Sequence, residues 1–113
     1  MTRVTLFREG ERIYGCRAEG HSGWGEEGED IVCAAVSVLT TTCVNALESV
    51  CGVKPRIAEY SEEKGILAFT LPEITAAEDE RAQILMKALK QGLEDVAGEF
   101  PKNVKLSINE GRR

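Results

Sequence analysis

The chain predicts an α+β fold, a two-layer domain with one mixed or antiparallel sheet in the order ββαββαβ packed with two helices. Three observations carry this: two short runs with strand alternation lie ahead of each helical stretch, two stretches repeat apolar residues at helical spacing, and a last alternating run closes the chain. The sheet opens with a hairpin, Arg3 to Phe7 and Arg12 to Ala18, turned at Glu9-Gly10-Glu11. Asp30 is placed as the N-cap of the first helix. Two sets of apolar positions follow it, Ile31, Ala35, Val38 and Val32, Ala35, Leu39, Cys43, Ala46, Val50, and Gly52 and Pro55 stop the helix. A second hairpin spans roughly Arg56 to Tyr60 and Ile66 to Leu71, with Glu63-Lys64-Gly65 as its turn and Pro72 as its end.

The second helix starts on a capping box, Thr75-Ala76-Ala77-Glu78. It carries a stripe of Leu85, Ala88, Leu89, Leu93 and Val96, and it closes at Gly98 and Pro101. Val104, Leu106 and Ile108 alternate with Lys105 and Ser107 as a half-buried final strand.

At 113 residues the chain is expected to form a single domain, 1–113, with 42% hydrophobic and 29% charged residues, ordinary for a soluble protein. Its formal charge of −5 argues against a phosphate-binding surface and suits a basic partner, so no direct nucleic-acid contact is expected. No secretory leader is evident, and the irregular spacing of Cys16, Cys33, Cys43 and Cys51 favours free thiols in the cytoplasm. The uncharged run from Ile31 to Leu47 is slightly short for a membrane span and carries Ser37, Thr40, Thr41, Thr42 and Asn45, so it is expected to be a buried helix. A helix uncharged on every side needs cover beyond the sheet, and a homodimer interface would supply it.

The chemistry concentrates at the one histidine, His21, and at Cys33, twelve positions on. Between them lies a small-residue loop with Ser22, Gly23, Trp24, Gly25 and Gly28, suited to a mobile flap over a substrate. With Asp30 as the cap, Cys33 is the third helical residue, where unpaired N–H groups and the positive end of the helix favour a thiolate and can hold an oxyanion. A neighbouring imidazole would complete a cysteine–histidine pair. Asp30 has two competing jobs: structural cap, or orienting group for His21. Ser37, one turn after Cys33, either bonds in the site or bonds back to a helix carbonyl. Trp24 lines a substrate pocket or caps the core.

A zinc site is disfavoured: Cys43 and Cys51 are about 12 Å apart along a helix and no CxxC pair occurs, so neither metal nor cofactor is expected. A redox sensor is disfavoured too, because Cys43 lies about 15 Å from Cys33 on the same helix. Cys16, Cys43 and Cys51 read as structural.

Gly20-His21, the glycine-bearing loop and Asp30-Ile31-Val32-Cys33-Ala34-Ala35-Val36-Ser37 together resemble the signature of the bacterial ribosomal-processing cysteine protease family, Prp. Gly20, His21, Asp30, Cys33, Ala34, Ala35 and Ser37 match its motif. The resemblance implies a homodimeric cysteine endopeptidase that removes a short N-terminal extension from a protein of the large ribosomal subunit, with Cys33 as nucleophile and His21 as general base. The alternative is a non-catalytic peptide-binding ribosome-assembly factor with the same fold.

Overall fold

The structure is a computed structural model that describes residues 1–20 and 29–111. The elements run β1 (Thr2–Glu9), β2 (Arg12–Glu19), α1 (Glu29–Ser49), β3 (Arg56–Ser61), β4 (Ile66–Thr70), α2 (Ala76–Glu99) and β5 (Val104–Glu110). That is the ββαββαβ order read from the sequence. The strands form one five-stranded sheet in the order β3-β4-β2-β1-β5, antiparallel except for the parallel pair of β1 and β5, so the sheet is mixed.

Alternation along each strand divides the sheet into two faces. Val4, Leu6, Cys16, Ala18 and Phe69 point into the core, together with Val32, Val36, Cys43 and Leu47 of α1 and Ala82, Met86, Leu89 and Leu93 of α2. Fully burying one such Val or Leu side chain contributes roughly 1.5–3 kcal/mol. The opposite face carries Arg3, Thr5 and Arg17 and, among the described residues, has no helix on it; there Arg17 bridges Glu19 and Glu59.

α2 is fastened at its N-cap and again about two turns further in. Thr75 accepts from the Glu78 N–H while the Glu78 carboxylate accepts from the Thr75 N–H, which completes the capping box. Further along, the Gln83 amide binds both the N–H and the C=O of Ile13, pairing with β2 as a strand would. Its inward stripe is Ala82, Met86, Leu89 and Leu93. Leu85 and Val96 are only partly buried and Ala88 is exposed, because the helix turns its i, i+4, i+7 row toward the sheet.

α1 departs from expectation at its start. It begins at Glu29, so Asp30 lies inside the helix and is not its N-cap, and Cys33 is the fifth residue rather than the third. Its inward stripe is Val32, Val36, Thr40, Cys43 and Leu47, while Ile31 and Val38 are each 64% exposed and Val50 faces solvent. The segment Asp30–Ser49 is long and apolar enough to cross a membrane by length and composition, yet its inner stripe is packed into the core and its outer apolar stripe lies bare. Gly52, at φ +71°, ends it: the Gly52 N–H donates to the Glu48 carbonyl and the Val53 N–H to the Leu47 carbonyl.

All four thiols are free. Burial, and secondarily the Cys43 thiol, pushes the Cys16 pKa up to about 12, and burial likewise raises that of Cys43 to about 11. Both behave as core hydrophobes.

Candidate active site

Cys33 stands where β2 ends and α1 has completed its first turn, on the wall of a cleft of about 260 Å³. The thiol is half-buried, in contrast to the three buried cysteines. The first described stretch ends at Gly20, and its backbone lies against the thiol: a Cβ there would sit 2.7 Å from Cys33 Sγ. A side chain larger than hydrogen at Gly20 would have to displace the Cys33 sulfur.

Gly20 is itself held in place. Its N–H donates to the Gly65 carbonyl at 2.7 Å, and Gly65, at φ +67°, is in the left-handed region that glycine favours. A Cβ on Gly65 would lie 3.0 Å from the Gly20 carbonyl oxygen. These two glycines thus bring the β3–β4 hairpin onto the end of β2, and both line the cleft with Cys33.

The helix start positions the thiol less directly than the sequence suggested. The unpaired N–H groups of a helix belong to its first four residues, and Cys33 follows them, so its own N–H is available to the Glu29 carbonyl in the i→i−4 pattern. The field of the helix terminus still reaches one turn in, which is where Cys33 lies.

Ser37 lines the same cleft as Cys33, one turn further along α1, as the spacing requires. The hydroxyl that bonds back to the helix on this side is that of Thr40, to the Val36 carbonyl at 2.9 Å. Asp30 is exposed at the start of α1, and its role as cap is excluded because the helix begins ahead of it. His21 and the flap residues Ser22, Gly23, Trp24, Gly25 and Gly28 lie outside the described residues.

Sequence reasoning missed the opposite wall. Tyr60, Ser61, Glu62 and Gly65 of the β3–β4 hairpin line the cleft, and Thr2 of β1 lines it too. Gly65 alone carried a local signal, as turn chemistry; the rest are distant in sequence and reach Cys33 only through the sheet order. Hollows of about 400 and 530 Å³ elsewhere are not lined by a cysteine, and a groove of about 300 Å³ between the helices is lined by Cys43, which is buried.

The family model described as cysteine protease Prp matches residues 1–105. The chain is 28% identical over 111 residues to the ribosomal processing cysteine protease Prp of Bacillus subtilis, covering 96% of this chain and 98% of that one. It is 30% identical over 104 residues to the Staphylococcus aureus protein of the same name, covering 92% and 93%. Among solved structures, SMU.848 from Streptococcus mutans superposes with a TM-score of 0.86 at 33% identity, covering 98% of this chain and 96% of that one. The fold is also that of an essential ribosomal processing protease Prp from S. aureus in complex with a substrate peptide, with a TM-score of 0.85 at 24% identity, covering 96% and 100%.

Proposed function

Because this chain belongs to the Prp family of cysteine proteases, we propose that it acts in the cytoplasm on a protein of the large ribosomal subunit, removing a short N-terminal extension, with Cys33 as nucleophile and His21 as general base. The observation that carries the assignment of Cys33 is its place: a half-buried thiol on the wall of a cleft, facing a glycine whose missing side chain makes room for its sulfur. His21 is the residue after that glycine.

The chemistry follows from these two groups. The Cys33 thiolate attacks the scissile carbonyl carbon, forming a C–S bond and a tetrahedral oxyanion; collapse breaks the C–N bond, and the imidazolium of His21 gives its proton to the departing amine. Water, deprotonated by His21, then attacks the thioester and frees the thiolate. The N–H groups at the start of α1 favour the negative charge that develops. The net charge of −5 and Glu62 on the cleft wall suit a basic ribosomal protein as substrate.

The protein works as a single-domain protomer paired with a second copy. Ile31 and Val38 leave a bare apolar stripe on α1, and beside it a groove of about 300 Å³ between the helices is lined by Val38, Leu39, Leu85 and Leu89. A like surface on another protomer would bury both.

The test is incubation of wild-type and Cys33→Ser protein with the extended ribosomal protein, read by intact mass. A single cut by the wild type alone is expected. Equal cutting by the variant would overturn the role of Cys33.

A further inference from the structure

Two polar residues are buried among those described, Thr2 and Thr40. The Thr40 hydroxyl is satisfied by the Val36 carbonyl. Thr2 is 0% exposed, and its Oγ1 has no hydrogen-bond partner among the described residues.

An unpartnered buried hydroxyl lowers stability, and position 2 offers an easy remedy. Thr2, Val4 and Leu6 are the inward row of β1, where valine has the same shape without the hydroxyl. The cost is carried at one particular place. β1 and β2 pair from Arg3 opposite Glu19, so one further step of the ladder sets Thr2 opposite Gly20. Cross-strand partners face the same side of a sheet, and on that side a Cβ at Gly20 would meet Cys33 Sγ. The missing Gly20 side chain lets the Cys33 sulfur approach the sheet on the face that carries Thr2, and Thr2 and Cys33 line one cleft.

We propose that Thr2 is a substrate-binding residue: its hydroxyl donates a hydrogen bond to a main-chain carbonyl of the peptide held against Cys33. The proposal rests on the protease reading and adds to it a polar anchor under the scissile region. A peptide entering a cleft must exchange water for protein partners at its carbonyls, and a hydroxyl with no partner at rest gives up nothing to supply one. Its backbone is fixed, with the Thr2 N–H on the Asn103 carbonyl at 2.8 Å, so the anchor is held in position by the sheet.

The experiment compares Thr2→Val and Thr2→Ser with wild type. kcat/KM is measured on the ribosomal protein bearing its extension, thermal midpoint by scanning, and binding of the extension peptide in the Cys33→Ala background by calorimetry. Thr2→Val is expected to keep or raise the midpoint while kcat/KM and peptide affinity each fall at least tenfold; Thr2→Ser is expected to stay within about threefold of wild type. Unchanged cleavage and binding in Thr2→Val, equal losses in Val and Ser, or a lowered midpoint in Thr2→Val would each overturn the proposal. Absence of cleavage by the wild type would instead count against the protease reading, and the binding arm would still decide the role of Thr2.

Discussion

Gly20 and Cys33 are in contact across the junction of strand and helix, at a spacing that admits no Cβ on the glycine: 2.7 Å from that position to Sγ. The thiol is the movable partner, so a side chain at Gly20 displaces the sulfur and leaves the fold in place. Gly20→Ala is expected to lower kcat/KM at least tenfold, about 1.4 kcal/mol of transition-state stabilisation, with a thermal midpoint within a few degrees of wild type. Kinetics beside scanning calorimetry checks this; a variant as active as wild type would show that the close approach has no catalytic consequence.

The four thiols should react unequally. Cys33 is half-buried, whereas Cys16, Cys43 and Cys51 are buried, and burial pushes the Cys16 and Cys43 pKa values up to about 12 and about 11. Iodoacetamide at pH 8 is expected to add once to the native wild type, not at all to native Cys33→Ser, and to all four cysteines of the denatured wild type. Intact mass reads each case.

The same two buried thiols make stability fall in alkali. Above pH 9 the unfolded chain loses these protons while the folded chain keeps them until about 11 and 12, so the unfolded state binds fewer protons and unfolding becomes easier as pH rises. Stability from this source is complete below pH 9 and declines above it. Urea titrations from pH 8 to 11 are expected to show a shallower decline for Cys16→Ala than for wild type, whatever the variant's stability at pH 8.

Removing the α2 cap separates stability from activity. Thr75→Ala deletes a hydroxyl that accepts from the Glu78 N–H, far along the chain from the cleft. A loss of about 1 kcal/mol is expected, about 4 °C in a domain of this size, with kcat/KM unchanged below the transition.

The bare stripe of α1 is testable in solution. Val38→Glu places a charge in the apolar groove between the helices and is expected to turn a dimer into a monomer in sedimentation velocity. A wild type that sediments as a monomer would remove the dimer from the proposal.

The sequence by itself determined the elements and the local neighbourhood of Cys33. Alternation in β1, β2 and β5, the capping box at Thr75 and the stop at Gly52 are local, each set by a few adjacent residues, and all were legible. So was the match of Gly20, His21 and Cys33 to one family's motif. The first turn of α1 was misread because Asp before an apolar run is the ordinary cap, while the helix extends back to Glu29. Which stripe of α1 meets the sheet was left open, because the helix is uncharged on every side and its periodicity offers two sets of apolar positions; Val36 and Leu47 went in and Val38 stayed out.

The tertiary structure alone decided the far wall of the cleft. Thr2 comes from β1, Tyr60 from β3 and Gly65 from the turn between β3 and β4, and their meeting depends on the order β3-β4-β2-β1-β5, a long-range choice that no short window encodes. The left-handed turn at Gly65 and the close approach at Gly20 have meaning only once that order brings them together. The sulfur was readable in the chain; what faces it depended on which strands became neighbours.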